Sequence, residues 1–289
     1  MNFRELGKTG AQISVLGLGT WRFQGGVETL RTGLALGATF IDTAEAYGTE
    51  EVVGQAIKGR RKDVFLASKI SPRHFRHADV LKAASGSLRR LKTDYLDLYQ
   101  LHWPNYTVPL EETMGAMETL VDRGMVRFVG VSNFMLGDLK KAQKALSKHP
   151  IVSNQLRYNL IDRTIEGGLL SYCQDSRITV IAHSPLASSF RALRARDPED
   201  VLGQLAKTDS RSPAQIALNW CLAKQGVVAI PKSNSADHIR ENCGACDFEL
   251  SDQELRLLDA RIKFQRRTPF EIGLRGIVRH ALQFTGRNQ

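Results

Sequence analysis

Along this chain the hydrophobic positions follow two periods in turn. Short β-branched and apolar runs fall at 15–20, 39–42, 64–69, 96–102, 128–132, 151–155, 179–183 and 227–231, each about one strand long. Longer amphipathic stretches with apolar residues at helical spacing alternate with them, at 27–37, 50–59, 78–91, 110–122, 136–147, 167–175, 213–224 and 236–245. The ends of these stretches carry their own signals. Ser212 before Pro213 is an N-cap followed by proline at the first helical position, and Gly37 and Gly59 stand where helices end. Ahead of the first unit, residues 3–14 read as a short hairpin turned at Gly7 and Gly10. After the last, Ser251-Asp252-Gln253-Glu254 opens one more short helix.

Eight strands, each followed by a helix, require long crossovers and therefore a parallel sheet. Eight such units in under 300 residues predict an α/β fold, a (β/α)8 TIM barrel with an N-terminal β-hairpin and a C-terminal helical tail. An open doubly wound sheet would carry a third glycine after its first strand, and Gly17-Leu18-Gly19-Thr20-Trp21-Arg22 lacks it. No linker or low-complexity stretch divides the chain, so residues 1–289 are expected to form a single domain. Residues 261–289 form a basic tail on or near the barrel mouth. There Phe270, Leu274, Ile277, Val278 and Leu282 fall at helical spacing around Arg275 and Arg279. That helix packs on the barrel wall, covers the mouth as a flap, or lies on a membrane surface; the pattern admits all three.

Composition narrows the class. Hydrophobic residues make up 42% and charged residues 24%, as in an ordinary globule. Forty Lys and Arg against thirty Asp and Glu leave a net +10, which attracts anions of any kind. A nucleic-acid partner has no supporting motif, and the expectation is none. No uncharged run approaches the ~20 residues of a membrane span. The chain opens without a charged-then-apolar leader, and its four cysteines are too few for a disulfide scaffold, so the expected location is cytoplasmic. Cys243-Gly244-Ala245-Cys246 lacks the second pair that a zinc ribbon needs, and buried thiols are expected there.

In such barrels the chemistry gathers at the carboxyl ends of the strands. The second strand ends in Asp42, followed by Tyr47; the third ends in Lys69; the fourth in His102-Trp103. A phenol titrates near 10, too high to trade protons at neutrality. A lysine beside it favours the phenolate, an aspartate keeps the lysine charged, and a histidine offers a hydrogen bond to a carbonyl oxygen. This is an acid/base set for reducing a carbonyl with a hydride from elsewhere.

At this point the chain resembles the aldo-keto reductases. The resemblance rests on Gly17-Leu18-Gly19-Thr20-Trp21, Ile41-Asp42-Thr43-Ala44-Glu45-Ala46-Tyr47-Gly48, Ser68-Lys69-Ile70, Leu101-His102-Trp103-Pro104, Gly130-Val131-Ser132-Asn133-Phe134, Asn154-Gln155, Ser184-Pro185-Leu186 and Ile230-Pro231-Lys232-Ser233, in the family's order. It implies a catalytic tetrad of Asp42, Tyr47, Lys69 and His102, and NADP(H) as the preferred cofactor with NAD(H) as the second. It implies that Ser132, Asn133 and Gln155 hold the carboxamide of the nicotinamide and that His183 stacks on its ring. Ser184, Pro185, Leu186 and Ser188 would line the pyrophosphate loop, with Thr20, Trp21 and Asp42 at the near side of the cofactor. Ile230, Pro231, Lys232, Ser233, Asn234 and His238 would meet the 2′-phosphate end, and Glu241 and Asn242 the adenine. Trp21, Tyr47, His102 and Trp103 would wall a pocket for a small-molecule carbonyl substrate. Many relatives are monomers, and a monomer or weak oligomer is expected.

Two positions depart from the family pattern. His183 stands where a tyrosine is usual, and a cationic ring there would weaken binding of the oxidised cofactor as pH falls. His238 stands where NADP-preferring members carry arginine, which loosens the phosphate contact. A second function fits the same fold: a cofactor-binding regulatory or sensor subunit with little turnover.

Overall fold

The computed structural model describes residues 1–208, 210–268 and 271. Two antiparallel strands, β1 (Phe3–Glu5) and β2 (Gln12–Ser14), form the opening hairpin. Then come eight parallel strands: β3 (Leu18–Gly19), β4 (Phe40–Asp42), β5 (Phe65–Ile70), β6 (Leu96–Leu101), β7 (Val126–Ser132), β8 (Ile151–Arg157), β9 (Thr179–His183) and β10 (Val227–Ile230). Each pairs with its sequence neighbours. The ring closes where Leu16 bridges Ala229 and the Gly19 amide donates to the Pro231 carbonyl at 3.0 Å. A Cβ at Gly19 would come to 2.7 Å from the Ile230 carbonyl oxygen, so glycine is what lets first and last strands meet. The expected strand at 15–20 is accordingly short as a ladder, and its remainder serves as the closing seam.

The helices α1 (Gly26–Ala35), α2 (Glu50–Ala56), α3 (His77–Leu91), α4 (Leu110–Asp122), α5 (Leu136–Lys144) and α6 (Leu169–Asp175) follow the successive strands. Among its described residues the connection from β9 to β10 holds three, α7 (Phe190–Arg194), α8 (Val201–Thr208) and α9 (Pro213–Leu222), of which only the last is marked by the sequence pattern. Asp197 fastens α8 by accepting from the amides of Val201 and Leu202 at 2.8 and 2.9 Å. α10 (Ala236–Cys243) and α11 (Asp252–Arg261) follow β10. Ser212 and Ser251 both close capping boxes, with Gln215 and Glu254.

Two apolar regions hold the barrel. The larger lies between strands and helices. The smaller fills the lower interior, where Phe40, Phe65, Leu98 and Ile181 meet Leu6 and Ile13 of the hairpin, which thus plugs the floor. Burying such side chains stabilises by about 1.5–3 kcal/mol each.

The tail is described only in part. Lys263 donates its amide to the Arg196 carbonyl, the Gln265 amide donates to Ile161 and its carbonyl accepts from Arg163 in the loop after β8, and Arg267 pairs with Asp162 at 2.6 Å. Residues 263–267 therefore run against the loops after β8 and β9. The helix expected at 270–282 lies outside the described residues, apart from Glu271. All four cysteines are free and buried, and burial pushes the thiols of Cys243 and Cys246 up to about 12 and about 11. Among the described residues no group of three His, Cys, Asp or Glu could hold a metal, and no helix is long and apolar enough to cross a membrane.

Candidate active site

Parallel strands that all point the same way deliver their last residues to one rim. Asp42 ends β4, and a single 3-10 turn, Glu45–Tyr47, follows directly. Gly48 ends that turn at φ +68°, a conformation open to glycine, and so aims Tyr47 back over the rim. Lys69 comes from β5, and His102 follows β6.

The four side chains converge. Lys69 is 0% exposed and Asp42 2%. The Lys69 ammonium has three donors and three acceptors: Asp42 Oδ2 at 2.5 Å, the Thr43 carbonyl at 2.9 Å and the Tyr47 hydroxyl at 3.3 Å. His102 Nε2 lies 3.3 Å from the same hydroxyl, its ring edge-on to the tyrosine. Asp42 Oδ1 accepts from Gln155 Nε2 at 2.7 Å and Gln100 Nε2 at 3.3 Å.

Burial alone would lower the Lys69 pKa, but Asp42 and Tyr47 outweigh it and hold the ammonium above its ordinary value. For Tyr47 the balance differs from the expectation of a lowered value. Burial pushes its phenol up, Lys69 pulls it down, Asp42 pushes it up again, and the net shift is upward. The lysine's pull is present, but desolvation exceeds it. The phenol is held protonated across neutrality.

From Tyr47 a chain of hydrogen bonds runs around the rim. Asn133 Nδ2 donates to the His102 carbonyl at 3.1 Å and to Ser132 Oγ at 2.9 Å. Its Oδ1 lies 3.3 Å from His183 Nε2, and His183 Nδ1 lies 3.2 Å from Ser184 Oγ. Asn133, Ser184 and Ala187 hold positive φ of 62°, 51° and 61°, a cluster of costly non-glycine conformations on this rim. Pro185 is buried, Leu186 is half-buried and Ser188 is exposed. Trp21 stands 54% exposed after β3, with the Arg22 guanidinium 4.7 Å over its ring, and Trp103 follows His102. Thr20 is different: its hydroxyl is fully buried and tied to the Asp42 carbonyl and to Thr49, so it braces β3 against β4.

The remaining expected residues gather on a second shoulder. Ile230 ends β10 and Pro231 follows it, both buried, while Lys232, Asn234 and His238 are exposed. Asn234 Oδ1 accepts from the Gln24 amide at 2.9 Å, joining this shoulder to the loop after β3. Ser233 Oγ and Ser235 Oγ order the start of α10. A narrow hollow there is lined by Gly19, Phe23, Pro231, Ser233, Ile239 and Asn242. Glu241 is half-buried beside it. The donor set fits a dinucleotide with an extra phosphate. One rim offers side-chain amides, hydroxyls and a planar ring. The other shoulder offers a cation, hydroxyls and the start of a helix at a hollow.

Sequence reasoning missed two features. Gln100 holds Asp42 from below. Glu45 Oε1 lies 2.5 Å from His74 Nδ1 and fastens the Tyr47 turn to the loop after β5; burial raises the Glu45 carboxyl, against His74, which lowers it. The signal for Gln100 was strand parity, because it shares a face with His102 two residues on.

The model of the Aldo/keto reductase family matches residues 15–263. A methylglyoxal reductase of Escherichia coli (strain K12) is 40% identical over 257 residues, 86% of this chain and 90% of its own. An aldo-keto reductase of Bacillus subtilis (strain 168) is 35% identical over 276 residues, 78% of this chain and 82% of its own. Among solved structures, a thermostable aldo-keto reductase in complex with the inhibitor epalrestat aligns with a TM-score of 0.85 at 45% identity, over 90% of this chain and 99% of that one. An aldo/keto reductase from Klebsiella pneumoniae in complex with NADP and acetate aligns with a TM-score of 0.83 at 40% identity, over 91% and 96%.

Proposed function

This chain belongs to the aldo/keto reductase family, and from that premise we propose that it reduces aldehydes and ketones to alcohols with NADPH, Tyr47 supplying the proton. One observation carries the reading. The Tyr47 hydroxyl lies 3.3 Å from both Lys69 Nζ and His102 Nε2, with Asp42 2.5 Å behind the lysine. When bound, the reduced nicotinamide supplies a hydride to the carbonyl carbon.

The protein's part is to place the oxygen and to move one proton. His102 Nε2 donates to the carbonyl oxygen and orients it beside Tyr47. As charge gathers on that oxygen, Tyr47 gives up its hydroxyl proton and completes the alcohol. Lys69, already within reach of the phenol oxygen, stabilises the phenolate left behind. Asp42 keeps Lys69 charged and in place. In the reverse direction the phenolate takes the alcohol proton. Ser132, Asn133 and Gln155 would hold the carboxamide of the nicotinamide, and His183 would stack on its ring. Lys232 and Ser233 would meet the 2′-phosphate that distinguishes NADPH, with His238 a weaker partner than arginine.

The test is loss of NADPH absorbance on adding a panel of aldehydes and ketones, with NADH run beside it. Since the Escherichia coli relative is named for methylglyoxal, small 2-oxoaldehydes head the panel. Turnover with NADPH is the expected result. Tight NADPH binding with no turnover across the panel would move the assignment to a cofactor-binding regulatory subunit.

A further inference from the structure

Within the barrel a polar layer rests on an apolar one. Each upper residue stands two positions beyond a lower one on its strand: Asp42 above Phe40, Lys69 above Ala67, Gln100 above Leu98. Gln100 is 0% exposed. Its Nε2 donates to Asp42 Oδ1 at 3.3 Å, the oxygen that Gln155 also reaches. Its Oε1 is buried and has no hydrogen-bond partner among the described residues, and the same holds for Ser153 Oγ. Room for the amide comes from Gly130 on β7. A Cβ there would stand 3.0 Å from Gln100 Cγ and would collide with Ser153 Oγ. A register shift at Val129/Gly130 sets Ser153 opposite Gly130.

The amide cannot be turned over, since its oxygen would then face the carboxylate. A buried amide with its carbonyl unsatisfied is costly. An apolar side chain of that length would bury without the cost. What the amide adds here is one N–H on Asp42.

We propose that Gln100 is a positioning residue: with Gln155 it pins Asp42 Oδ1, turns Oδ2 to Lys69, and through that carboxylate sets the proton affinity of Tyr47. The proposal rests on the reading of Tyr47 as the proton carrier. The charged and titratable groups facing Tyr47 are Lys69 from β5, Asp42 from β4 and His102 beyond β6. Asp42 opposes the phenolate and Lys69 favours it. Removing an N–H dipole from Asp42 leaves its negative field less compensated, which favours the neutral phenol and makes it a weaker acid.

Two variants test this. Gln100→Met keeps the length and deletes the N–H. Gly130→Ala leaves Gln100 in the chain and pushes on its Cγ. The readouts are the pH midpoint of alcohol oxidation with NADP⁺, kcat and KM separately, and the NADPH Kd by fluorescence. For both variants the midpoint should move up by about half a unit or more, and reductive kcat should fall about 3- to 10-fold. The NADPH Kd should stay within about 2-fold, because Gln100 lies beneath the rim. A Gln100→Met profile that superposes on the parent's overturns the proposal, whatever happens to Tm. If that variant does not fold, an unshifted midpoint in Gly130→Ala overturns it. Tyr47→Phe run alongside separates the failures. If it keeps turnover, the site reading is wrong. If it is inactive while Gln100→Met matches the parent, only the role of Gln100 is wrong.

Discussion

Asp42→Asn removes one charge and almost no volume. Lys69 then remains fully buried with the Thr43 carbonyl and the Tyr47 hydroxyl but no anion. Breaking a buried pair in this way costs about 3–5 kcal/mol. An upper bound comes from deprotonation: a lysine of ordinary pKa ~10.5 gives up its proton at pH 7 for about 5 kcal/mol. At about 2–4 °C per kcal/mol for a chain approaching this size, Tm should fall by about 10 °C. The sign with pH is fixed as well. In the parent, Lys69 titrates above its ordinary value in the folded state, burial being outweighed by Asp42 and Tyr47. Its contribution is therefore fully present below ~10.5 and flat between pH 7 and 9. In Asp42→Asn the folded state holds the neutral amine and the unfolded state binds the extra proton, so stability climbs with pH. Between pH 7 and 9 the deficit should shrink by up to about 2.7 kcal/mol. Adding Lys69→Met removes the stranded charge and should bring stability back to within about 1–2 kcal/mol of the parent, with activity still lost. Urea unfolding at both pH values reads all of this. A deficit under about 1 kcal/mol at pH 7, or one that does not shrink at pH 9, would refute the view of Lys69 as a charge held by Asp42.

Three further outcomes follow from the same geometry. Because burial holds the Tyr47 phenol above its ordinary value, carbonyl reduction should be flat from about pH 6 to 8 while alcohol oxidation keeps rising with pH; initial rates in both directions check this. Lys232→Ala should raise KM for NADPH about 10-fold or more and leave NADH nearly unchanged, since only the former carries the 2′-phosphate; steady-state kinetics with each cofactor decide it. The thiols of Cys243 and Cys246, pushed up to about 12 and about 11 by burial, should resist a thiol-specific reagent at pH 8 until urea unfolds the chain; fast labelling of the folded protein would contradict their burial.

Much of this molecule can be read from its sequence because a parallel barrel writes itself as an alternation. The strands at 64–69, 96–102 and 179–183 and their helices stand close to where the pattern puts them. Of the β9–β10 connection only α9 was readable. α7 is five residues long, too short to display a helical period, and its start depends on Ser189 accepting from the Ala192 amide. α8 depends on Asp197 bonding amides four and five residues ahead, a contact that no local motif marks. The meeting of these side chains was readable because strand ends share one rim, so residue type and position together bring Asp42, Lys69 and His102 together. The balance at Tyr47 was not. Whether desolvation or a neighbouring cation wins depends on burial, which residue order does not contain. Gln100 was hidden for a related reason. β6 is buried throughout, and a polar residue in a wholly buried strand stands out only once its face is known.

The claim at the centre is that the Tyr47 hydroxyl delivers the proton. The most direct measurement compares Tyr47→Phe with the parent in two readings, NADPH consumption with the best carbonyl substrate and NADPH Kd. The account predicts a loss of about 100- to 10,000-fold in kcat, the usual worth of a general acid, with Kd within about 2-fold, because the ring and its packing remain. Turnover in Tyr47→Phe within about 10-fold of the parent, at unchanged Kd, would contradict it and place the proton donor elsewhere on the rim.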